Sequence, residues 1–277
     1  MAPEDSPAGT GLESGLESGL KTGLESGLKT HSETADPEWA AERAAFDFLG
    51  YSAPLPLAEP ARAEQVLAAH EDVGFYTKNP HVTSADVRLM LSDPALVDAV
   101  RKLCGRDLNL WRSAFFRKTT GTAEIGWHHD KHFFSDAADD IRLDEIQSHY
   151  SVFISVTSVT QTTGLLEVLP GTHRDIPDLV RDPRPYHKRP PGEHILKDLP
   201  AAVAGRARGV PIPAGCFMIF HSAILHRSLP HTGGGPRLGM AIRLVRYGLG
   251  IPPELAEPQD ITAFPPIALP PTACPPP

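Results

Sequence analysis

From about residue 108 onward the apolar residues come in short bursts. LNLWRSAFF (108–116), SVFISVTSV (151–159), FMIFH (217–221) and MAIRLVRYG (240–248) carry the β-branched and aromatic enrichment of strands. Before that point the apolar spacing is helical. PEWAAERAAFDFL (37–49) predicts a helix with Pro37 in its first turn. A second helix is expected over 59–71, and a third over 94–103 (PALVDAVRKL), closed by Gly105. Helices first and strands after predict an α+β fold, with a double-sheet antiparallel barrel as its core.

Three segments break these patterns. Residues 11–30 are the tetrads GLES, GLES, GLKT, GLES and GLKT. Their leucines would form a helical stripe, but each tetrad also carries a glycine, costing about 1 kcal/mol against alanine in a helix. Residues 1–35 are therefore expected to be a disordered, low-complexity leader. Residues 174–207 are proline-rich and aperiodic, with Arg181, Arg184, Lys188 and Arg189 among them. They are expected to form a lid. The stretch 251–277 is expected to be an extended, proline-rich tail. That leaves 36–250 as the folded domain.

A chain of 277 residues can bury one large core. Its formal net charge of −8 argues against a nucleic-acid footprint. No apolar run is long enough to span a membrane, and no secretory signal pattern opens the chain. Cys104, Cys216 and Cys274 form no C-x-x-C pair, and the first two sit in apolar surroundings. A reducing, cytoplasmic setting follows as an expectation.

The chemistry concentrates in two segments, GWHHD (126–130) and FHSAILHRS (220–228). Residues i and i+2 of a strand share a face, so His128 and Asp130 aim an imidazole and a carboxylate at one point. A third histidine from a distant strand would complete a two-His, one-carboxylate facial triad, the set that leaves adjacent metal positions open in non-haem Fe(II) oxygenases. His129 points to the other face, and His132 lies about 13 Å from His128 along a strand. His221 and His226 both qualify as the distant ligand. Arg237 and Arg243 lie about 20 Å apart on a straight strand, so only one is expected to be the fork donor for a carboxylate cosubstrate, and the other to be solvated or to support the ligands from behind.

Four motifs in order, WHHD (127–130), TGLLEVLPGTH (163–173), FHSAILHRS (220–228) and Arg237, resemble the phytanoyl-CoA dioxygenase-like group of Fe(II)/2-oxoglutarate oxygenases. The resemblance covers roughly residues 40–250. Two positions depart from it: Thr163 stands where relatives often have Asn, and Gly239 where many have Ser.

The resemblance implies a jelly-roll (double-stranded β-helix, cupin-like) core with N-terminal flanking helices. It implies His128, Asp130 and His226 as ligands of Fe(II), and Arg237 as the partner of the 2-oxoglutarate carboxylate. It makes Lys118, just ahead of the metal strand, a further carboxylate contact, and it places 163–173 as a turn and the rim of the active site. The implied reaction uses O2 to oxidise a C–H bond of a small-molecule substrate, releasing succinate and carbon dioxide. Asp130 points to hydroxylation or a related outcome such as desaturation or ring closure, because related halogenases lack that carboxylate. Competing readings are a cupin-like metal protein that does not use 2-oxoglutarate, and a non-catalytic binding or adaptor protein.

Overall fold

The computed structural model describes residues 39–130, 149–174, 199–248, 251 and 257–266. The leader with its tetrads, His132 and most of the expected lid lie outside these residues. Five helices precede the main strands: α1 (Ala40–Leu49), α2 (Ala61–His70), α3 (Pro80–Thr83), α4 (Ala85–Leu91) and α5 (Pro94–Cys104). Two short strands, β1 (Leu55–Pro56) and β2 (Tyr76–Lys78), run between them. Then come β3 (Leu108–Lys118), β4 (Ile125–His128), β5 (His149–Ser155) and β6 (Leu166–Val168). A one-turn helix α6 (Ala201–Ala204) leads into β7 (Arg208–Val210), β8 (Cys216–His221), β9 (His226–Ser228), β10 (Arg237–Arg246) and β11 (Thr262–Ala263).

The strands form two antiparallel sheets. The larger runs β1-β8-β5-β10-β3-β11, with β2 also paired to β3, and the smaller runs β4-β9-β6-β7. This is the double-sheet architecture expected. α5 starts and stops where the sequence predicts: the Asp93 side chain accepts from the N–H groups of Ala95 and Leu96, and Gly105 closes the last turn.

The large sheet has two buried faces, and this organises the molecule. Val152, Ile154, Phe217, Ile219, Met240 and Ile242 point to the helices, packing against residues such as Phe46 and Leu96. Phe153, Met218, Phe220 and Ala241 point inward, against Leu166, Val168 and Ile212. The candidate site residues sit in that interior, between the sheets. In the β10–β3 pairing the register shifts between Arg243 and Leu244, so Trp111 is the extra residue of a bulge. It brings the buried indole to the ring of His149, 6.0 Å between centroids.

The expected tail departs from its reading. Residues 257–266 return to the domain, where β11 pairs with Leu110 and Asn109 of β3 and Phe264 is buried. His81 Nε2 and the Asp260 carbonyl lie 2.8 Å apart, and Asn79 Nδ2 donates to Asp260 Oδ2 at 2.6 Å. The prolines around this strand hide it, because proline-rich composition reads as extended linker.

Candidate active site

His128 and His226 face each other across paired strands. They are register partners of β4 and β9, with ring centroids 4.2 Å apart. The strand ends at His128, and Asp130 is held just beyond it by its own N–H, which donates to the carbonyl of Ser222 at 2.7 Å. One ligand atom from each of His128, Asp130 and His226 can be chosen so that all three lie within 4.8 Å of one another. Among the described residues this is the one such group of three or more.

Each histidine is oriented by the carbonyl two residues before it. His128 Nδ1 lies 2.7 Å from the Gly126 carbonyl, and His226 Nδ1 lies 3.1 Å from the Ile224 carbonyl. A carbonyl only accepts, so Nδ1 carries the hydrogen and Nε2 keeps its lone pair. Burial, then the neighbouring His226, pushes His128 down to about 3, and burial lowers His226 as well. Both imidazoles are therefore neutral near pH 7, the form that ligates metals. Asp130 is fully buried. Burial alone would raise its carboxyl, but Arg243, the two histidines and the Ser151 hydroxyl outweigh that and hold it below the ordinary carboxylate range. Ser151 Oγ donates to Asp130 Oδ2 at 2.5 Å, and Arg243 Nη2 donates to Oδ1 at 2.7 Å.

A hollow of about 670 Å³, counted out to its open mouth, is lined by His128, His226, Arg237 and Arg243, with walls that include Phe153 and Phe220. Arg237 is almost completely buried there, and burial pushes it down to about 10. Its guanidinium lies 5.1 Å from the centre of the Phe153 ring, and Nη2 donates to the Gly164 carbonyl at 3.4 Å. Gly164 is required to be glycine. Its φ is +92°, and a Cβ would stand 2.9 Å from the Leu229 carbonyl oxygen and 3.0 Å from Lys118 Cδ.

The structure places the remaining candidates as follows. His221 does not reach the metal group: its ring stacks between Phe46 and His173 on the helix side of the large sheet, with centroids 4.8 and 4.6 Å away. Lys118 is buried, but its ammonium donates to the carbonyls of Ala123, Ser228 and Leu229 at 3.1, 3.3 and 2.7 Å. With three donors directed to three carbonyls, and no place in the hollow's lining, it supports the turn beside Arg237 rather than a ligand.

The segment ending PGTH is only partly rim. Leu166 and Val168 line the hollow, but Gly171 N–H donates to the Leu49 carbonyl and His173 packs against α1, so its end fastens the helix layer. Arg243, expected to be solvated or to support the ligands from behind, lines the same hollow as Arg237 and holds Asp130. No local pattern pairs Asp130 with a residue 113 positions away.

Comparison with known proteins agrees with this architecture. A non-heme monooxygenase, ThoJ in its apo form, is 24% identical with a TM-score of 0.56, over 74% of this chain and 76% of that one. The epimerase SnoN, solved with Fe3+, alpha ketoglutarate and nogalamycin RO, is 19% identical with a TM-score of 0.57, over 77% and 91%. EctD from S. alaskensis, solved with 2-oxoglutarate and 5-hydroxyectoine, is 19% identical with a TM-score of 0.57, over 79% and 83%. At these identities the likeness establishes the shared fold. No curated protein matches the chain. The phytanoyl-CoA dioxygenase family model matches residues 56–239, a span that holds α2 to α5, most strands of the two sheets, the histidine–aspartate group and Arg237, and on that match this chain belongs to the phytanoyl-CoA dioxygenase family.

Proposed function

We propose that this chain is an Fe(II)- and 2-oxoglutarate-dependent dioxygenase that hydroxylates, or otherwise oxidises by C–H abstraction, a small organic substrate in specialised-metabolite biosynthesis. The observation that carries this reading is Arg237. It is a buried guanidinium lining the same hollow as His128 and His226, and among the described residues it forms no ion pair with a carboxylate. A buried cation in such a place calls for an anionic ligand.

In this reading His128 Nε2, His226 Nε2 and Asp130 hold the ion, and the three-ligand set leaves its other positions open. When bound, ferrous iron supplies the oxidising chemistry with 2-oxoglutarate and O2, releasing succinate and carbon dioxide. The protein's part is orientation and exclusion of water. The carbonyls of Gly126 and Ile224 fix the two imidazoles. Arg237 takes the far carboxylate of 2-oxoglutarate with a planar fork. The walls built from Phe116, Phe153, Met218 and Phe220 keep the hollow apolar between its charged ends. Solved relatives of this fold include an epimerase from nogalamycin biosynthesis, which supports a small-molecule substrate. No described helix is long and apolar enough to cross a membrane, and we place the reaction in the cytoplasm.

The test is succinate formation as a function of Fe(II) and 2-oxoglutarate, in the full chain and in Arg237→Leu. Loss of a charge-assisted fork should raise KM for 2-oxoglutarate about tenfold to a hundredfold while iron binding is retained. Iron binding without any 2-oxoglutarate-dependent succinate would point to a cupin-like metal protein instead.

A further inference from the structure

The inward face of β10 reads Arg237, Gly239, Ala241, Arg243. Small residues separate two arginines, and the backbone positions of those arginines lie about 20 Å apart along a straight strand. Both side chains line one hollow. Arg237 marks one end, beside the Gly164 carbonyl. Arg243 marks the other. Its Nη2 donates to Asp130 Oδ1, the oxygen that lies 3.9 Å from His226 Nε2, so this guanidinium stands at the metal end.

Buried acidic side chains are few among the described residues: Asp130, and Asp93 at the start of α5. Asp130 offsets one guanidinium. The second guanidinium and a divalent metal leave the hollow with excess positive charge, which a dianion reduces more than a monoanion does.

We propose that Arg243 is a second carboxylate-recognising residue of the cosubstrate site. It clamps Asp130 and, from the same position, takes the keto-acid end of the dicarboxylate whose far end Arg237 takes. This rests on the functional reading above. The planar guanidinium suits the task because it presents several N–H donors in a rigid fork, enough for two carboxylates at once. Ser151 is the contrasting neighbour: it too holds Asp130, through Oδ2, but carries no charge.

The experiment uses the full chain saturated with Mn(II), titrated calorimetrically with 2-oxoglutarate and with 2-oxobutyrate. The second probe has the same keto-acid end and lacks the far carboxylate. Arg237→Leu is expected to weaken 2-oxoglutarate alone. Arg243→Met is expected to weaken both probes by a similar factor, about tenfold or more. Arg243→Lys, which keeps the charge and loses the fork, is expected to weaken both by a smaller factor, and it decides the question if Arg243→Met does not fold. Ser151→Ala is expected to weaken Mn(II) binding yet leave both probes at wild-type affinity once metal is saturating. If the Arg243 variants behave like Ser151→Ala, Arg243 only positions Asp130 and the inference is overturned. If the unaltered protein binds Mn(II) and neither keto acid, the functional reading itself fails.

Discussion

The ring of Phe153 occupies the space that a side chain at position 239 would need: a Cβ built on Gly239 would stand 2.2 Å from Phe153 Cζ. Phe153 in turn carries the guanidinium of Arg237 over its face. Gly239, Phe153 and Arg237 thus form a stack in which the first makes room for the second and the second supports the third. Gly239→Ala should push Phe153 aside, costing about 1–3 kcal/mol of stability as overpacking and shifting Arg237. The expected result is a KM for 2-oxoglutarate raised roughly tenfold, with Mn(II) affinity unchanged. An unchanged KM beside a lowered melting temperature would show that Arg237 does not depend on the stack.

The ligand assignment makes a sharper contrast. Asp130→Ala and His226→Ala each remove one member of the three-residue group, and Mn(II) binding should fall by more than a hundredfold, with turnover lost. His221→Ala removes a ring stacked between Phe46 and His173, away from the metal. It should cost roughly 1–3 kcal/mol of stability as a buried truncation and keep Mn(II) affinity. Calorimetric metal titration of the three variants separates the cases. Loss of metal binding in His221→Ala with the fold intact would reverse the assignment.

The same histidine sets an acid sensitivity. Burial, with His173 and Arg43 adding, pushes His221 down to about 3, against an ordinary 6.5 in the unfolded chain. Between these values the unfolded state binds the proton and the folded state does not. The contribution to stability is therefore full above pH 6.5 and is lost as pH falls from 6.5 toward 3. At pH 5 this one group lowers stability by roughly 2 kcal/mol. His149, pushed by burial to about 3, acts in the same direction. His221→Phe keeps an aromatic ring in the stack and removes the titration. Urea unfolding of metal-free protein at pH 7.5 and pH 5 should show a smaller loss in the variant than in the parent. Identical losses would place the acid sensitivity elsewhere.

How much of this was legible depends on distance along the chain. His128 and Asp130 lie two residues apart in sequence, and the fall of His226 and Arg237 into family spacing marked both. β3, β5, β8 and β10 were visible as apolar runs. Yet the same runs concealed which way His221 points. A strand covered on both faces is apolar throughout and shows no alternation from which to read the side of its last residue. β6 and β7, three residues each, are too short for any period to show. The Arg243–Asp130 pair is a product of the barrel's closure, which sequence spacing does not encode. The strand at 262–263 was lost among prolines for the opposite reason: composition spoke louder than the three residues around the buried Phe264.

Lys118 offers the clearest separation between supporting a site and forming it. Its Cα is the register partner of Arg237, so two cations lie side by side on neighbouring strands in a buried place. Burial first, and Arg237 second, push the lysine down to about 7. The geometry shows what tolerates it there: the carbonyls of Ala123, Ser228 and Leu229 surround the ammonium and tie β3 to the turn that follows β9. Lys118→Met keeps most of the aliphatic volume and leaves three carbonyls without this donor. Each buried acceptor left unmatched costs about 1–3 kcal/mol where water cannot replace the lysine. The melting temperature of Lys118→Met should therefore drop well below that of Arg237→Leu. Its effect on 2-oxoglutarate should be the smaller of the two, with KM within about threefold of the parent, less than the loss of one hydrogen bond to a charged group. A KM rise matching that of Arg237→Leu, in Lys118→Met protein that still folds, would return the lysine to the cosubstrate site and show that its carbonyl partners release it when the ligand binds.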